Sequence, residues 1–124
     1  MLVPMRNLLD KATIEGYGVV APNVINECTA RVCIEAAEEL HAPLILDVGY
    51  VFHPDSVFLG RMLEEIAVRS SVPIAVNLDH GATYEQVMWA LRAGFTSVMI
   101  DRSTASFAVN VRDTAEIVKA AHAV

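Results

Sequence analysis

The chain has 124 residues, enough for one domain with its own core and too few for two. Its hydrophobic content of 54 % exceeds the roughly 45–50 % usual for soluble domains, yet no apolar run approaches the roughly 18 residues of a membrane span, and the N-terminus lacks a secretory pattern. A net charge of -6 and a pI near 5.0 argue against nucleic acid or an anionic membrane surface as main partner, since phosphate binding needs a basic face. The expectation is a cytoplasmic protein. Cys28 and Cys33 fall about 140° apart around a helix, so both are read as reduced thiols, with packing as the role of Cys33.

In chain order, Met5, Leu8, Leu9 and Ala12 have helical spacing within Pro4–Ala12, and the Glu15–Gly18 stretch then breaks the helix. Val19–Val24 reads as a first strand interrupted by Pro22, which has no ladder donor. Asn26 caps a helix running to about Leu40, with Cys33, Ala36, Ala37 and Leu40 expected inward. Leu44–Val48 is a second strand carrying Asp47 in an apolar run. After a loop through Gly49 and His53, Asp55 caps a helix whose stripe is Phe58, Leu59, Met62, Leu63 and Ile66.

Pro73–Gly81 is the central stretch, a strand with Ile74, Val76 and Leu78 on one side and Ala75, Asn77 and Asp79 on the other. Thr83 and Gln86 then have capping-box spacing, and Gly94 closes that helix. Ser97–Ile100 is a fourth strand ending in Asp101. A last helix is expected from Asn110 or Val111 to about Ala123, with Val111, Ala115, Val118 and Ala121 inward.

The reading is therefore an α/β single domain over residues 1–124, a leading helix followed by four βα units. Strand starts 23 to 30 residues apart, with helices between them, imply a parallel sheet. Four units make half of a (β/α)8 barrel, which takes eight strands and about 250 residues; a small doubly wound domain is the alternative. A half barrel leaves its first and fourth strands as open edges, and the apolar content suits a chain that meets a partner surface.

Both parallel architectures place chemistry at the carboxyl ends of the strands. Asp79 and His80 lie there, an acid/base group beside a metal-capable imidazole; helix capping and loop hydrogen bonding are the ordinary roles of such residues. Asp101 ends the neighbouring strand on the same rim. Asn23, ending the first strand, could bind a substrate hydroxyl, although asparagine also serves turns. His53 is on the correct face and could approach His80, whereas His41 and His122 fall at helix C-termini on the opposite face. Asp47 must be paired or protonated if buried, and Arg102 or the amide of Asn77 could meet it. No glycine-rich dinucleotide fingerprint or phosphate loop with lysine is present.

These residues resemble the class II, zinc-dependent ketose-bisphosphate aldolases, the fructose- and tagatose-bisphosphate enzymes. The resemblance covers essentially the whole chain. It is carried by Met-Leu-Val-Pro-Met at the start, Ala21-Pro22-Asn23-Val24, Glu35-Ala36-Ala37-Glu38-Glu39-Leu40, Leu78-Asp79-His80-Gly81 and, most specifically, the run from Ala93 to Asp101. It implies a (β/α)8 barrel with His80 as one of three histidines on a catalytic zinc. Asp79 would move the proton, Asp101 would hold a second divalent or monovalent cation, and Asn23 would contact the sugar phosphate. The implied reaction is reversible cleavage of a ketose bisphosphate to dihydroxyacetone phosphate and an aldehyde, a carbohydrate-metabolism lyase activity.

The departures are specific. Gly49 stands where the family often has serine, Asn77 where histidine commonly precedes Leu-Asp-His, and the Asp101–Phe107 stretch lacks the family's histidine. The other two zinc histidines, a metal-binding glutamate and the main phosphate loops belong to four further βα units beyond this stretch. The isolated chain is therefore expected to bind zinc weakly, and its own catalysis is the open question. Two other readings stand beside the aldolase. One is a half-barrel interaction module that self-associates or pairs with a complementary chain; the other is a binding module in which Asp79 and His80 hydrogen-bond a polyol.

Overall fold

A computed structural model describes residues 1–124. Its elements in chain order are α1 (Met5–Glu15), α2 (Glu27–Glu39), β1 (Leu44–Gly49), α3 (Ser56–Arg69), β2 (Ile74–Gly81), α4 (Tyr84–Arg92), β3 (Ser97–Ile100) and α5 (Phe107–Ala121). The three strands are parallel and adjacent in sequence order.

The expected first strand is reduced to a strap. Val20 and Asn23 make isolated parallel bridges to Leu44 and Asp47, through Ile45 N–H to Val20 O and Asp47 N–H to Pro22 O. Pro22 has no N–H to give, which is why this stretch occupies a strand position without forming a regular strand. At the other side of β2, Leu2 bridges Ile74, and Val3 N–H donates to Ile74 O at 2.9 Å. The first residues thus take the place that β3 leaves free, because β3 begins only opposite Asn77. The sequence reading had no signal for this contact.

The two faces of the sheet are covered unequally. Leu44, Leu46 and Val48 of β1 and Ile74, Val76 and Leu78 of β2 share one core with residues of α2, α3, α4 and α5. The opposite face carries only a small cluster at its lower end, Ile45 and Ala75 under Leu8 of α1. A doubly wound domain needs helices on both faces. Here the following helices cover one face and the leading helix closes the bottom of the other, as in the N-terminal half of a (β/α)8 barrel. The face that carries only α1, at its lower end, is called the lumen face below.

Local signals explain the helix starts. Asn26 accepts from Thr29 N–H at 2.9 Å while Thr29 Oγ1 accepts from Asn26 N–H, a reciprocal cap. Asp55 accepts from Phe58 N–H at 2.9 Å. At α4, Thr83 accepts from Gln86 N–H, but Gln86 Oε1 returns to Ala82 N–H rather than to Thr83, so the box is shifted by one residue. Arg92 is the last helical residue there, Ala93 is the C-cap, and Gly94, at φ 89°, turns the chain into β3.

Three expected stripes are corrected. In α3, Leu59 and Leu63 are buried and Met62 and Ile66 half-buried as expected, whereas Phe58 is exposed. In α2 the buried residues are Ala30, Ile34 and Ala37, with Cys33 half-buried against the core, whereas Ala36 and Leu40 face solvent. In α5 the helix begins at Phe107, before the expected Asn110, and buries only Ile117; Val111 and Val118 are exposed. This helix lies over β3, the outermost strand, so part of its apolar side overhangs the sheet edge. Both cysteines are free, Cys28 at the surface. No helix is long and apolar enough to cross a membrane.

Leu63 of α3 is fully buried in the main core. Leu63→Ala is expected to lower unfolding stability by about 2–5 kcal/mol, read as a reduced urea midpoint at unchanged slope.

Candidate active site

The site grows out of an irregularity at the end of β2. Leu78 pairs with Val98, but the next pairing joins Gly81 to Ile100, so β2 holds one more residue than β3 across the same span. His80 adopts φ 52°, in the left-handed region that an L-residue with a branched ring side chain rarely enters. The strand is thereby bulged at Asp79 and His80. Simple alternation would place neighbours on opposite faces. The left-handed residue breaks that alternation and lets both side chains turn to one rim.

The ladder resumes at once, with Asp101 N–H donating to Gly81 O at 2.8 Å. Gly81 is required there for close approach: a Cβ would lie 2.9 Å from Met99 O and 2.8 Å from a Leu78 methyl. The loop after β3 is tied to the same end. Arg102 donates to Ala82 O and to Asp113 of α5, both at 2.8 Å. Arg102 therefore does not meet Asp47.

His80 is the hub of the contacts. Its Nδ1 lies 2.6 Å from Asp101 Oδ2, and its Nε2 lies 3.6 Å from Asp79 Oδ1. The imidazole is 62 % exposed while the Asp79 and Asp101 side chains are mostly covered. The hydrogen bond to Asp101 and the nearby Asp79 charge raise the His80 pKa above its ordinary value. Asp101 is held down to about 2, first by the N–H of Ser103, which donates to its Oδ1 at 2.9 Å, and then by the Ser103 hydroxyl and His80.

Below this rim a polar row crosses the lumen face. Asn23, Asp47 and Asn77 are successive register partners, and Ser97 follows on β3. Asn77 Nδ2 donates to Asp47 Oδ1 at 2.8 Å, the alternative anticipated for Asp47. Burial nevertheless raises the Asp47 pKa, with that hydrogen bond opposing. Asn77 Oδ1 is buried and has no partner.

Of the residues singled out in the sequence, Asp79, His80 and Asp101 come together, and Asn23 stands on the same face beside Asp47. His53 is directed elsewhere: its Nδ1 accepts from Asp55 N–H at 3.0 Å and its ring stacks on Phe58. His41 and His122 follow helix C-termini as expected. Sequence reading missed the Ser103 support of Asp101 and the bulge itself. An Asp-x-Ser turn signal exists for the first, and periodicity offers none for the second.

The ion pair has a defined pH window. The raised His80 contributes stability that is complete below its unfolded pKa and disappears as pH rises through the folded value. The depressed Asp101 contributes above its unfolded pKa and loses that contribution as pH falls toward about 2. In the metal-free protein, Asp101→Asn is expected to lower the His80 pKa, followed by NMR of the imidazole protons; an unchanged titration would contradict the assignment.

Comparison with known proteins bears on the family and the fold. The family profile described as class-II fructose-bisphosphate aldolase matches residues 3–124. A fructose-bisphosphate aldolase from Thermus caldophilus is 48 % identical over 125 residues, covering 100 % of this chain and 41 % of that protein. A probable fructose-bisphosphate aldolase from Bacillus subtilis (strain 168) is 39 % identical over 128 residues, covering 98 % of this chain and 44 % of that protein. The crystal structure of the YdjI aldolase from Escherichia coli K12 superposes with a TM-score of 0.93 at 31 % identity, covering 98 % of this chain and 47 % of that one. The chain thus spans less than half the length of the relatives it matches, and it belongs to the class-II fructose-bisphosphate aldolase family.

Proposed function

We propose that this chain supplies the proton-transfer group and one metal-ligating arm of a reversible aldol cleavage, in which a ketose bisphosphate gives dihydroxyacetone phosphate and an aldehyde. The observation that carries the reading is the bulged end of β2, which puts Asp79 and His80 on one rim with the imidazole braced by Asp101.

The donor set fits a zinc ligand in part. With Nδ1–H directed at the Asp101 carboxylate, Nε2 is left with its lone pair, and a carboxylate behind a metal-binding imidazole is the usual way of fixing its tautomer and basicity. Asp79 and Asp101 add carboxylate oxygens near it, but no group of three His, Cys, Asp or Glu side chains in this chain could hold a metal ion. Zinc catalysis ordinarily uses three protein ligands. The remaining ligands come from outside these 124 residues, on further βα units or on a second chain seated at the open edges. When bound, zinc supplies Lewis-acid polarisation of the substrate ketone.

The roles within this chain follow from position. Asp79 takes the hydroxyl proton at the carbon released as aldehyde and returns it in the condensation direction. His80 is the residue of this chain that would hold the metal, through Nε2. Asp101 orients His80, and its outer lone pairs are the place for a second divalent or monovalent cation. Asn23, exposed on the lumen face, hydrogen-bonds a hydroxyl of the sugar phosphate.

Metal analysis and an aldol-cleavage assay on the completed site, this chain together with the βα units or second chain that supply the other ligands, separate these roles. Asp79→Ala is expected to keep zinc and slow cleavage by roughly 100-fold or more, whereas His80→Ala is expected to lose zinc. Retention of zinc by the His80 variant, or normal turnover by the Asp79 variant, would overturn the reading.

A further inference from the structure

We propose that Phe52 is a specificity-determining residue: its ring covers the β1 side of the site beside Asp79, receives the C–H face of an unphosphorylated part of the sugar phosphate, and excludes a phosphate there. The proposal rests on the aldol-cleavage reading above and revises its substrate from a ketose bisphosphate to a ketose phosphorylated beside the ketone only.

Gly49 is the register partner of Asp79, so a side chain at position 49 would project from the same face as Asp79. That space is already taken. A Cβ built on Gly49 would lie 2.7 Å from Cε2, 2.8 Å from Cδ2 and 3.0 Å from Cζ of Phe52, closer than carbon atoms approach. The Phe52 ring therefore sits over the Gly49 backbone, one strand away from the proton-transfer group, where a family serine would have placed a hydroxyl.

Several contacts hold it there. Phe52 N–H donates to Gly49 O at 3.1 Å and closes a tight turn. The Ser56 hydroxyl donates to the carbonyls of Tyr50 and His53, each at 3.0 Å, pinning the turn to the start of α3. The Tyr50 ring meets Trp89 of α4 edge-on at 5.3 Å. Phe52 itself remains 46 % exposed, which leaves part of the ring open to a ligand.

The chemistry of that surface decides what it can take. An aromatic face offers no hydrogen-bond donor and carries the negative side of a quadrupole, so a phosphate set against it would give up water and gain nothing. The carboxylates of Asp47 and Asp79 on the same face add further negative potential. The C–H groups of a sugar chain carry the opposite polarity and stack on such a ring.

Calorimetric titration of the chain in zinc-containing buffer tests this with two probes: fructose 1-phosphate, phosphorylated beside the ketone only, and fructose 1,6-bisphosphate. The wild type is expected to favour the monophosphate. In Phe52→Ala, and in Gly49→Ser, whose side chain must displace the ring, that preference is expected to fall by about three- to tenfold. A preference unchanged in both variants, or a wild type that favours the bisphosphate, would overturn the Phe52 role while leaving the aldolase reading intact. Binding of neither probe by the wild type would also overturn this inference, which needs the surface beside Asp79 on this chain to take a sugar phosphate, and would leave the aldolase reading to the metal analysis and cleavage assay above.

Discussion

The arrangement of this molecule depends on one backbone distortion, the extra residue in β2 with His80 in the left-handed region. A regular strand presents a carboxylate and the following imidazole to opposite faces, where they cannot act on one ligand. Holding a histidine at positive φ costs conformational energy, and such conformations persist where the surroundings over-determine them. Here the surroundings are visible. Leu78 is locked in the core before the bulge, Gly81 is pressed against Met99 O after it, and Asp101 holds the imidazole from the next strand.

The electrostatics of the rim follow from that placement. Three carboxylates, Asp47, Asp79 and Asp101, lie on or just above one face, and each meets its neighbours differently. Asp101 is stabilised as an anion by the Ser103 donors, which makes it a firm acceptor for His80. Asp47 is pushed the other way by burial and is only partly compensated by Asn77. Beneath them, the lower lumen face is closed by apolar contact between Leu8, Ile45 and Ala75, so polarity is confined to the upper end.

Much of this was legible in the amino-acid order because its causes are local. Period-two alternation separated Ile74, Val76 and Leu78, which are buried in the main core, from Ala75, Asn77 and Asp79 in β2. Asn26, Asp55 and Thr83 announced helix starts through side chains that reach only three residues ahead. The candidate residues Asp79, His80 and Asp101 were singled out because they follow apolar strands, and the structure brings them together. Where the reading erred, the deciding neighbour was remote. Leu40 fits a helical stripe as well as Ile34 does, yet α2 turns Ile34 toward the sheet and leaves Leu40 outside. The α5 stripe was read correctly as apolar, but whether it is buried depends on how far the sheet extends beneath it.

By itself, then, the sequence determined the succession of βα units, the caps, and the presence of an acid beside an imidazole at a strand's end. Those features rest on backbone and side-chain interactions between residues close in the chain. Only the tertiary structure decided that the helices after α1 share one face of the sheet and that β2 bulges against β3. It also decided that Asp101 meets His80 across 21 positions and that the Phe52 ring fills the space above Gly49. Each of these is a contest for space or hydrogen bonds between separate elements, and such contests are settled by packing rather than by order along the chain.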